Sequence, residues 1–336
     1  MEEMTSLNET TGSQVTEFIL MGLTKRPELQ GPLFVVFFLN YMAILLGNLG
    51  LIILTSVDSH LKTPMYFFLR HLAFVDLGYS TAVGPKMLVG FIEEKNIISY
   101  SGCAIQLVFY VIFITSELFI LSVMAYDRYI AICKPLYYMT IVSDVVCWLL
   151  VAISYLYSTM VSLLVTIELF KLSFCKSNVI RHFYCDGAPL LSITCSDASE
   201  IELIIMIFAA FNFVSSLMFI LISYMLILVT ILRMNSSEGR HKAFSTFGSH
   251  LTGAVIFYGT LIFIYLQPQS SHSFAVDKIA SVFYTLVIPM LNPLIYSLRN
   301  KEVKGALRRL FKMCLNLLFP LKIFGVVPEE EFKYNT

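Results

Sequence analysis

Met124-Ala125-Tyr126-Asp127-Arg128-Tyr129 stands where the third of seven long apolar segments meets its first cluster of charges. An acid–arginine–tyrosine triplet at the end of a buried helix is costly unless its charges are satisfied or used. That placement makes Asp127, Arg128 and Tyr129 a candidate switch facing a partner on the inner side of a membrane. A plainer reading is an arginine that snorkels to the membrane edge. The neighbouring Tyr126, Asp127 and Tyr129 favour the switch: Arg128 pairs with Asp127 while the bundle is closed, and its fork of donors meets a partner's backbone carbonyls once released.

The rest of the chain supplies the membrane. Of the 336 residues, 57% are hydrophobic and 14% charged, with a mean hydropathy of +0.76. A soluble domain of this length needs far more polar surface. Stretches long enough to cross a bilayer, about 20 residues each, fall near Phe34–Val57, Pro64–Val89, Ser99–Tyr126, Asp144–Ile167, Ile201–Leu232, Ala243–Leu266 and Ile279–Leu298. The expected fold is an all-α membrane protein, a bundle of seven transmembrane helices. An outer N-terminal segment (1–33), the bundle (34–298) and an inner tail (299–336) are its three parts.

The net charge of zero hides an asymmetry. With the N-terminus outside, the inner loops and tail hold 15 of the 23 Lys and Arg, so the positive-inside tendency orients the chain N-out and C-in. The first residues carry Glu2, Glu3, Glu9 and Glu17 and no apolar core, so the first helix is expected to serve as the insertion signal. Asn8-Glu9-Thr10 is an outer glycosylation sequon; Asn235-Ser236-Ser237 matches too, but on the inner side, where glycan transfer does not reach. Cys103, Cys175, Cys185 and Cys195 fall outside, where disulfides persist, and four cysteines leave three pairings open. Three of them lie in a long loop, Glu168 to Glu200, which is read as a lid over a cavity or a stapled cap on the bundle. After Arg299, Val303, Leu307, Leu310, Phe311 and Cys314 share one helical face and Lys301, Lys304, Arg308 and Lys312 the other, the pattern of a short amphipathic helix on inner-leaflet lipids. Cys314 there is either a palmitoylation site or a plain buried cysteine.

Asp76 and Glu117 are acids inside apolar helices, and such residues are candidates for function. Glu117 lies three turns before Arg128, on the same side of the third helix. If Asp76 faces the same interior, the two carboxylates hold a sodium ion or share a proton, because neighbouring acids do not both ionise without a cation. The alternative is a hydrogen-bonded cluster with Asn48 and Asn292 that only fixes packing. In Pro289-Met290-Leu291-Asn292-Pro293-Leu294-Ile295-Tyr296 two prolines free backbone carbonyls and bend the helix, Asn292 is placed to satisfy one, and Tyr296 follows a turn later. This stretch is expected to be a hinge.

Other classes fit poorly. A transporter would show internal repeats or paired broken helices, and the acids here are isolated. Ser249 and His250 are adjacent, which rules out a facing nucleophile–base pair, so no enzyme is expected. No cysteine–histidine spacing suits zinc, and no nucleic-acid partner or cofactor beyond the sodium ion is expected.

Gly47-Asn48, Leu61-Lys62-Thr63-Pro64-Met65-Tyr66-Phe67-Phe68-Leu69, Met124 through Cys133, Ser223-Tyr224, Lys242-Ala243-Phe244-Ser245-Thr246, Ser249-His250-Leu251 and Pro289 through Asn300 occur in this order. Together they resemble the vertebrate olfactory receptors of the tetrapod (class II) group, within the rhodopsin-like G-protein-coupled receptors. The resemblance implies an odorant-activated receptor in the plasma membrane, in olfactory cilia where the cell is an olfactory neuron, that couples to a stimulatory olfactory-type heterotrimeric G protein and raises cyclic AMP. A receptor of the same type sensing a metabolite outside the nose is equally compatible with the sequence. The resemblance further implies disulfides Cys103–Cys185 and Cys175–Cys195. It also implies a coupling surface around Arg128, Tyr224 and the Lys242–His250 region. Lys62 and Phe247 depart from the usual histidine and cysteine. The sixth segment carries Tyr258 and lacks the Trp and Pro of other rhodopsin-like receptors, which is the olfactory pattern.

A ligand cavity is expected between the third, fifth and sixth helices beneath the long loop. Counting back from Glu117 brings Tyr110, Val111, Ile114 and Thr115 to the interior face. The resemblance implies a sixth-helix wall at Tyr258, Leu261, Ile262 and Tyr265, with Phe208, Ala209 and Asn212 on the fifth. This lining suits a small, uncharged, mostly hydrophobic molecule with one hydrogen-bonding group. Ordinary helix packing is the competing account of each residue.

Overall fold

The computed structural model describes residues 15–24, 26–175, 177–234, 236, 240, 248, 251–262, 274–298 and 301–318. Its helices are α1 (Pro27–Val57), α2 (Pro64–Val89), α3 (Tyr100–Cys133), α4 (Asp144–Phe170), α5 (Ser199–Leu232) and α6 (Leu251–Ile262). Then come α7, which runs through Phe274–Val282, Phe283–Val287 and Ile288–Leu298, and α8 (Lys301–Leu318). Among the described residues, α1, α3, α4, α5 and the Lys278–Ile295 stretch of α7 are long and apolar enough to cross a bilayer. The 26 residues of α2 also suffice in length, but Arg70, Asp76 and Lys86 dilute their apolarity. The fold is a seven-helix membrane bundle with α3 at its centre, packed on α2, α4 and α5, while α1 joins α2 to α7.

Side chains sort as a bilayer demands. Leu39, Leu46, Val145 and Leu156 point outward, whereas Asn48, Asp76, Ser80, Glu117 and Thr285 are completely buried. Lipid covers the apolar exterior, and polar groups must find partners within the protein.

Two helix edges differ most from expectation, by seven residues each. Helix α1 begins at Pro27 instead of Phe34, with proline suited to the first turn because its missing N–H has no helical partner there. Helix α3 passes the Asp127–Tyr129 triplet and ends at Cys133. Charge marks where apolar character fades; what stops the helix is Pro135, which disfavours helical backbone at Lys134. The triplet therefore sits inside a helix. At the other end, the Ser99 hydroxyl accepts from the Gly102 amide at 3.0 Å, a side-chain N-cap.

The hinge expected at Pro289–Tyr296 also moves. The irregular turn is a π-helical one at Phe283–Val287, and regular helix then continues through Pro293. Pro289 and Pro293 leave the carbonyls four residues earlier, at Thr285 and Pro289, without helical donors. Ser80 donates to the first at 2.9 Å and Asn48 to the second at 3.0 Å. Of the two roles expected of Asn292, a proline-freed carbonyl or a polar cluster with the buried acids, it takes the second.

At the outer end three strands form a small sheet that the helical pattern did not suggest. Strand β1 (Glu17–Leu20) lies between β2 (Asn96–Ser99), antiparallel, and β3 (Val179–Ile180), parallel. Phe18 is fully buried there against Tyr100 and Phe174. Disulfides join Cys103 to Cys185 and Cys175 to Cys195, with Cα–Cα distances of 5.5 and 5.8 Å. At the inner end α8 is amphipathic: Val303 and Ala306 are buried, and Lys304, Arg308, Arg309 and Lys312 are exposed. It is tethered by a bond from Tyr66 to Glu302 (2.6 Å) and by Arg309 to Asp58 (2.9 Å). Asn8, Asn235, Lys242 and Tyr265 lie outside the described residues, as do the side chains of Tyr296 and Cys314.

Candidate functional site

The polar side chains buried in the bundle gather at three levels. At the inner end Arg128 is 8% exposed and Asp127 1%. Arg128 donates through Nε to Asp127 Oδ2 at 2.9 Å, and its Nη2 reaches the same oxygen. The other carboxylate oxygen accepts from Tyr138 at 2.7 Å. Tyr138 belongs to the short helical turn after α3, and nothing in its sequence context singled it out. Asp127 thus holds the guanidinium on one side and an inner-loop tyrosine on the other. Tyr129 is half-buried, and Tyr224 of α5 is buried within electrostatic reach of Arg128.

Halfway down the bundle, Asn292 of α7 donates to both oxygens of Asp76 on α2, at 3.2 and 3.0 Å. Tyr79, one turn beyond Asp76, completes the cluster at 3.4 Å. Glu117 of α3 is fully buried within electrostatic reach of Asp76, Tyr79 and Asn292, yet neither of its oxygens makes a hydrogen bond of normal geometry. A buried carboxylate without a partner costs several kilocalories per mole if ionised, roughly 3–5 by analogy with broken buried pairs. That vacancy in its hydrogen bonding fits a shared proton or a monovalent cation. Among the described residues no group of three or more His, Cys, Asp or Glu gathers.

The outer level is roofed by the long loop. Phe183, Tyr184 and Cys185 are completely buried, and the Tyr184 ring stands 5.0 Å from that of Tyr110 on α3. Tyr184 and Tyr284 share a hydroxyl contact of 2.9 Å, Ser281 joins Tyr284 at 2.9 Å, and His182 reaches Ser281 at 3.3 Å. Gln106 pins the loop by accepting from the Cys185 amide at 2.9 Å and donating to the Ala82 carbonyl at 2.8 Å. Burial, reinforced by Lys278, pushes His182 down to about 3 from the usual 6.5. The loop is therefore anchored to α2, α3 and α7.

The family model for olfactory receptors matches residues 37–314. The chain is 65% identical over 309 residues to olfactory receptor 8K1 of Homo sapiens, covering 92% of this chain and 97% of that protein. It is likewise 65% identical to human olfactory receptor 8K3, over 90% and 97% of the two chains. Olfactory receptor 8U3 of Mus musculus is 57% identical over 88% and 93%. The chain belongs to the olfactory receptor family. It is an odorant-sensing G-protein-coupled receptor, a multi-pass membrane protein and not an enzyme.

In this receptor the wall residues expected from the sequence separate by depth. Tyr110 and Thr115 are buried, and Val111 and Ile114 are half-buried, along the stretch of α3 beneath Tyr184. Leu261 and Ile262 are half-buried on α6, as are Phe208 and Ala209 on α5. Tyr258 lies lower: its ring packs 5.8 Å from Phe213 and its hydroxyl neighbours Ser122 and Ser216, five residues inward of Glu117 along α3. It sits at the floor of the interior instead of its wall. Asn212 turns the other way, accepting from Tyr157 of α4 at 2.8 Å, so its amide oxygen serves the α4–α5 contact. The α4 tyrosine that claims it was not foreseen, because which face of α5 meets α4 depends on packing.

Proposed function

We propose that the receptor binds small, mostly hydrophobic odorants between α3, α5 and α6, below the Tyr184 lid. The observation that carries this reading is the roof itself: a disulfide-anchored loop whose Tyr184 lies over Tyr110, on the same side of α3 that descends through Ile114 to Glu117. The lining is apolar apart from Tyr110, Thr115 and the hydroxyl cluster at Tyr184, Tyr284 and Ser281. An uncharged molecule with one hydrogen-bonding group suits it. Ligand entry shifts α3 and α6 relative to α7 and reaches Arg128, whose release from Asp127 and Tyr138 frees its donors for a G protein of the stimulatory olfactory type. Cyclic AMP then rises. The working location is the plasma membrane, in olfactory cilia where such a neuron expresses it.

Between lid and switch, Asp76 and Glu117 hold a sodium ion or share a proton. The orphaned Glu117 oxygens support this, since a cation or a shared proton relieves two neighbouring acids. When bound, the ion supplies a positive charge; the residues' part is to tie α2 and α3 to α7 through Asn292.

The experiment is a cyclic AMP assay in cells expressing the full chain with an olfactory G protein, screened against volatile odorants. Arg128→Ala and Tyr110→Ala variants are matched to it for surface expression. A response lost in the first variant and shifted in potency in the second supports the reading. A response unchanged by Arg128→Ala would overturn the switch, and one indifferent to every α3 wall substitution would overturn the cavity.

A further inference from the structure

The outer half of the lipid-facing surface is shaped by Gly78. A Cβ there would come within 2.5 Å of the Phe113 ring, so glycine is what lets the ring lie on α2. Phe113 stacks on Phe109 at 6.1 Å and meets Phe74 edge-on at 5.9 Å. Beside this aromatic ridge runs an apolar groove of about 780 Å3, floored by α2 and flanked by Leu49 of α1 and Ile105 of α3. The volume lies within the range of small-molecule sites, about 300–1,000 Å3. Leu49, Phe74, Ile105 and Phe109 are all exposed, so the groove opens to the bilayer and not to the odorant cavity.

Its dimensions and its one charge name an occupant. Along α2 from Phe74 to Lys86 the helix rises twelve residues, about 18 Å at 1.5 Å each. Half of a hydrocarbon core of about 30 Å is about 15 Å, so the groove is one leaflet long. Lys86 closes it at the outer end in the last turn of α2. Its ammonium donates to the Ile97 carbonyl at 2.7 Å, which leaves donors for a second acceptor. The geometry points to a bound phospholipid of the outer leaflet, with its phosphate at Lys86 and one acyl chain lying along the groove to Phe74. A sterol hydroxyl does not answer a lysine's charge, and a free phosphate has nothing to fill an apolar trough. The lipid braces the back of the α3 stretch whose front carries Tyr110 and Ile114. The inference rests on the membrane fold alone and stands whether or not the odorant cavity is where we propose.

Native mass spectrometry of the full receptor, purified in detergent, tests it with three probes at equal concentration: dioleoyl phosphatidylglycerol, dioleoyl glycerol and cholesterol. The phosphate is worth about fivefold in retention over the diglyceride, taking about 1 kcal/mol for a lysine at a membrane surface. Lys86→Met should erase that preference and Lys86→Arg should keep it. Thr81→Trp, which fills the groove from its exposed side, should remove the retained lipid altogether. Monodisperse elution of each variant establishes that it is folded. Equal retention of the diglyceride, preference for cholesterol, or a lipid adduct untouched by Thr81→Trp would each overturn the proposal.

Discussion

Asn48 on α1 donates to the carbonyl of Pro289 on α7 at 3.0 Å. That carbonyl is the one Pro293 leaves without a helical donor, so the two residues repair a defect written into α7 by its own sequence. Gly47 eases the approach, because a Cβ there would stand 3.2 Å from the Pro293 ring, a tight contact. Removing the Asn48 amide strands a buried acceptor, at a cost of about 1–3 kcal/mol. Asn48→Ala and Ser80→Ala should each lower the thermal unfolding midpoint of the receptor in detergent. Asn40→Ala, which loses only a thioether contact with Met290, should lower it less. Equal shifts for all three would refute the repair.

Tyr138 shares Asp127 with Arg128. Tyr138→Phe keeps the ring and removes one hydrogen bond to a charged group, worth about 1.5–3 kcal/mol. The closed inner end should loosen, raising odorant-free cyclic AMP several-fold at matched surface expression. Unchanged or lower basal signalling would show that Tyr138 only packs.

Glu117 and Asp76 should make signalling depend on sodium or on pH. Replacing external and internal sodium by N-methylglucamine should raise basal activity if an ion ties α2 and α3 to α7. Glu117→Gln and Asp76→Asn should abolish that response. A sodium-indifferent receptor whose activity moves with pH, and stops moving in Glu117→Gln, identifies the shared proton instead.

His182 predicts an acid-sensitive lid. Its pKa in the folded loop is about 3, against 6.5 when free. The opened loop therefore binds the proton more readily than the closed one, and acid favours opening. The stabilisation is complete above about pH 6.5 and is lost as pH falls from there towards 3. The protection factors of the amides at residues 179–185, with exchange normalised to the intrinsic rate at each pH, should fall over that window in the native receptor and stay level in His182→Gln.

The outer disulfides differ in reach. Cys103–Cys185 ties α3 to the lid across 82 residues, while Cys175–Cys195 closes a loop of 20. On the chain-entropy account the longer loop is worth more, about 4–5 against about 3 kcal/mol. Cys103→Ser should reduce surface expression and thermal stability more than Cys195→Ser.

The sequence alone determined the membrane class, the helical segments and the residue types at the switch. Those follow from local quantities: runs of apolar residues, prolines at fixed spacing, and acids where lipid makes them expensive. The outer cysteines were legible as a set, and their pairing came with the family resemblance and not from spacing. The true end of α3 was masked because a change in charge is a weaker stop than the proline beyond it. The sheet around Phe18 was missed because four residues of β1 gain meaning only from strands about 80 and 160 positions away.

What tertiary structure decided is who partners whom. Asn292 went to Asp76 and not to a proline-freed carbonyl, Asn212 to Tyr157 and not to the interior, and Tyr258 to the floor near Ser122. A polar side chain in a bundle has several acceptors within a turn of its own helix. Which it takes depends on the rotation and depth of the neighbouring helix, and those are set by the packing of the whole bundle and by no single segment.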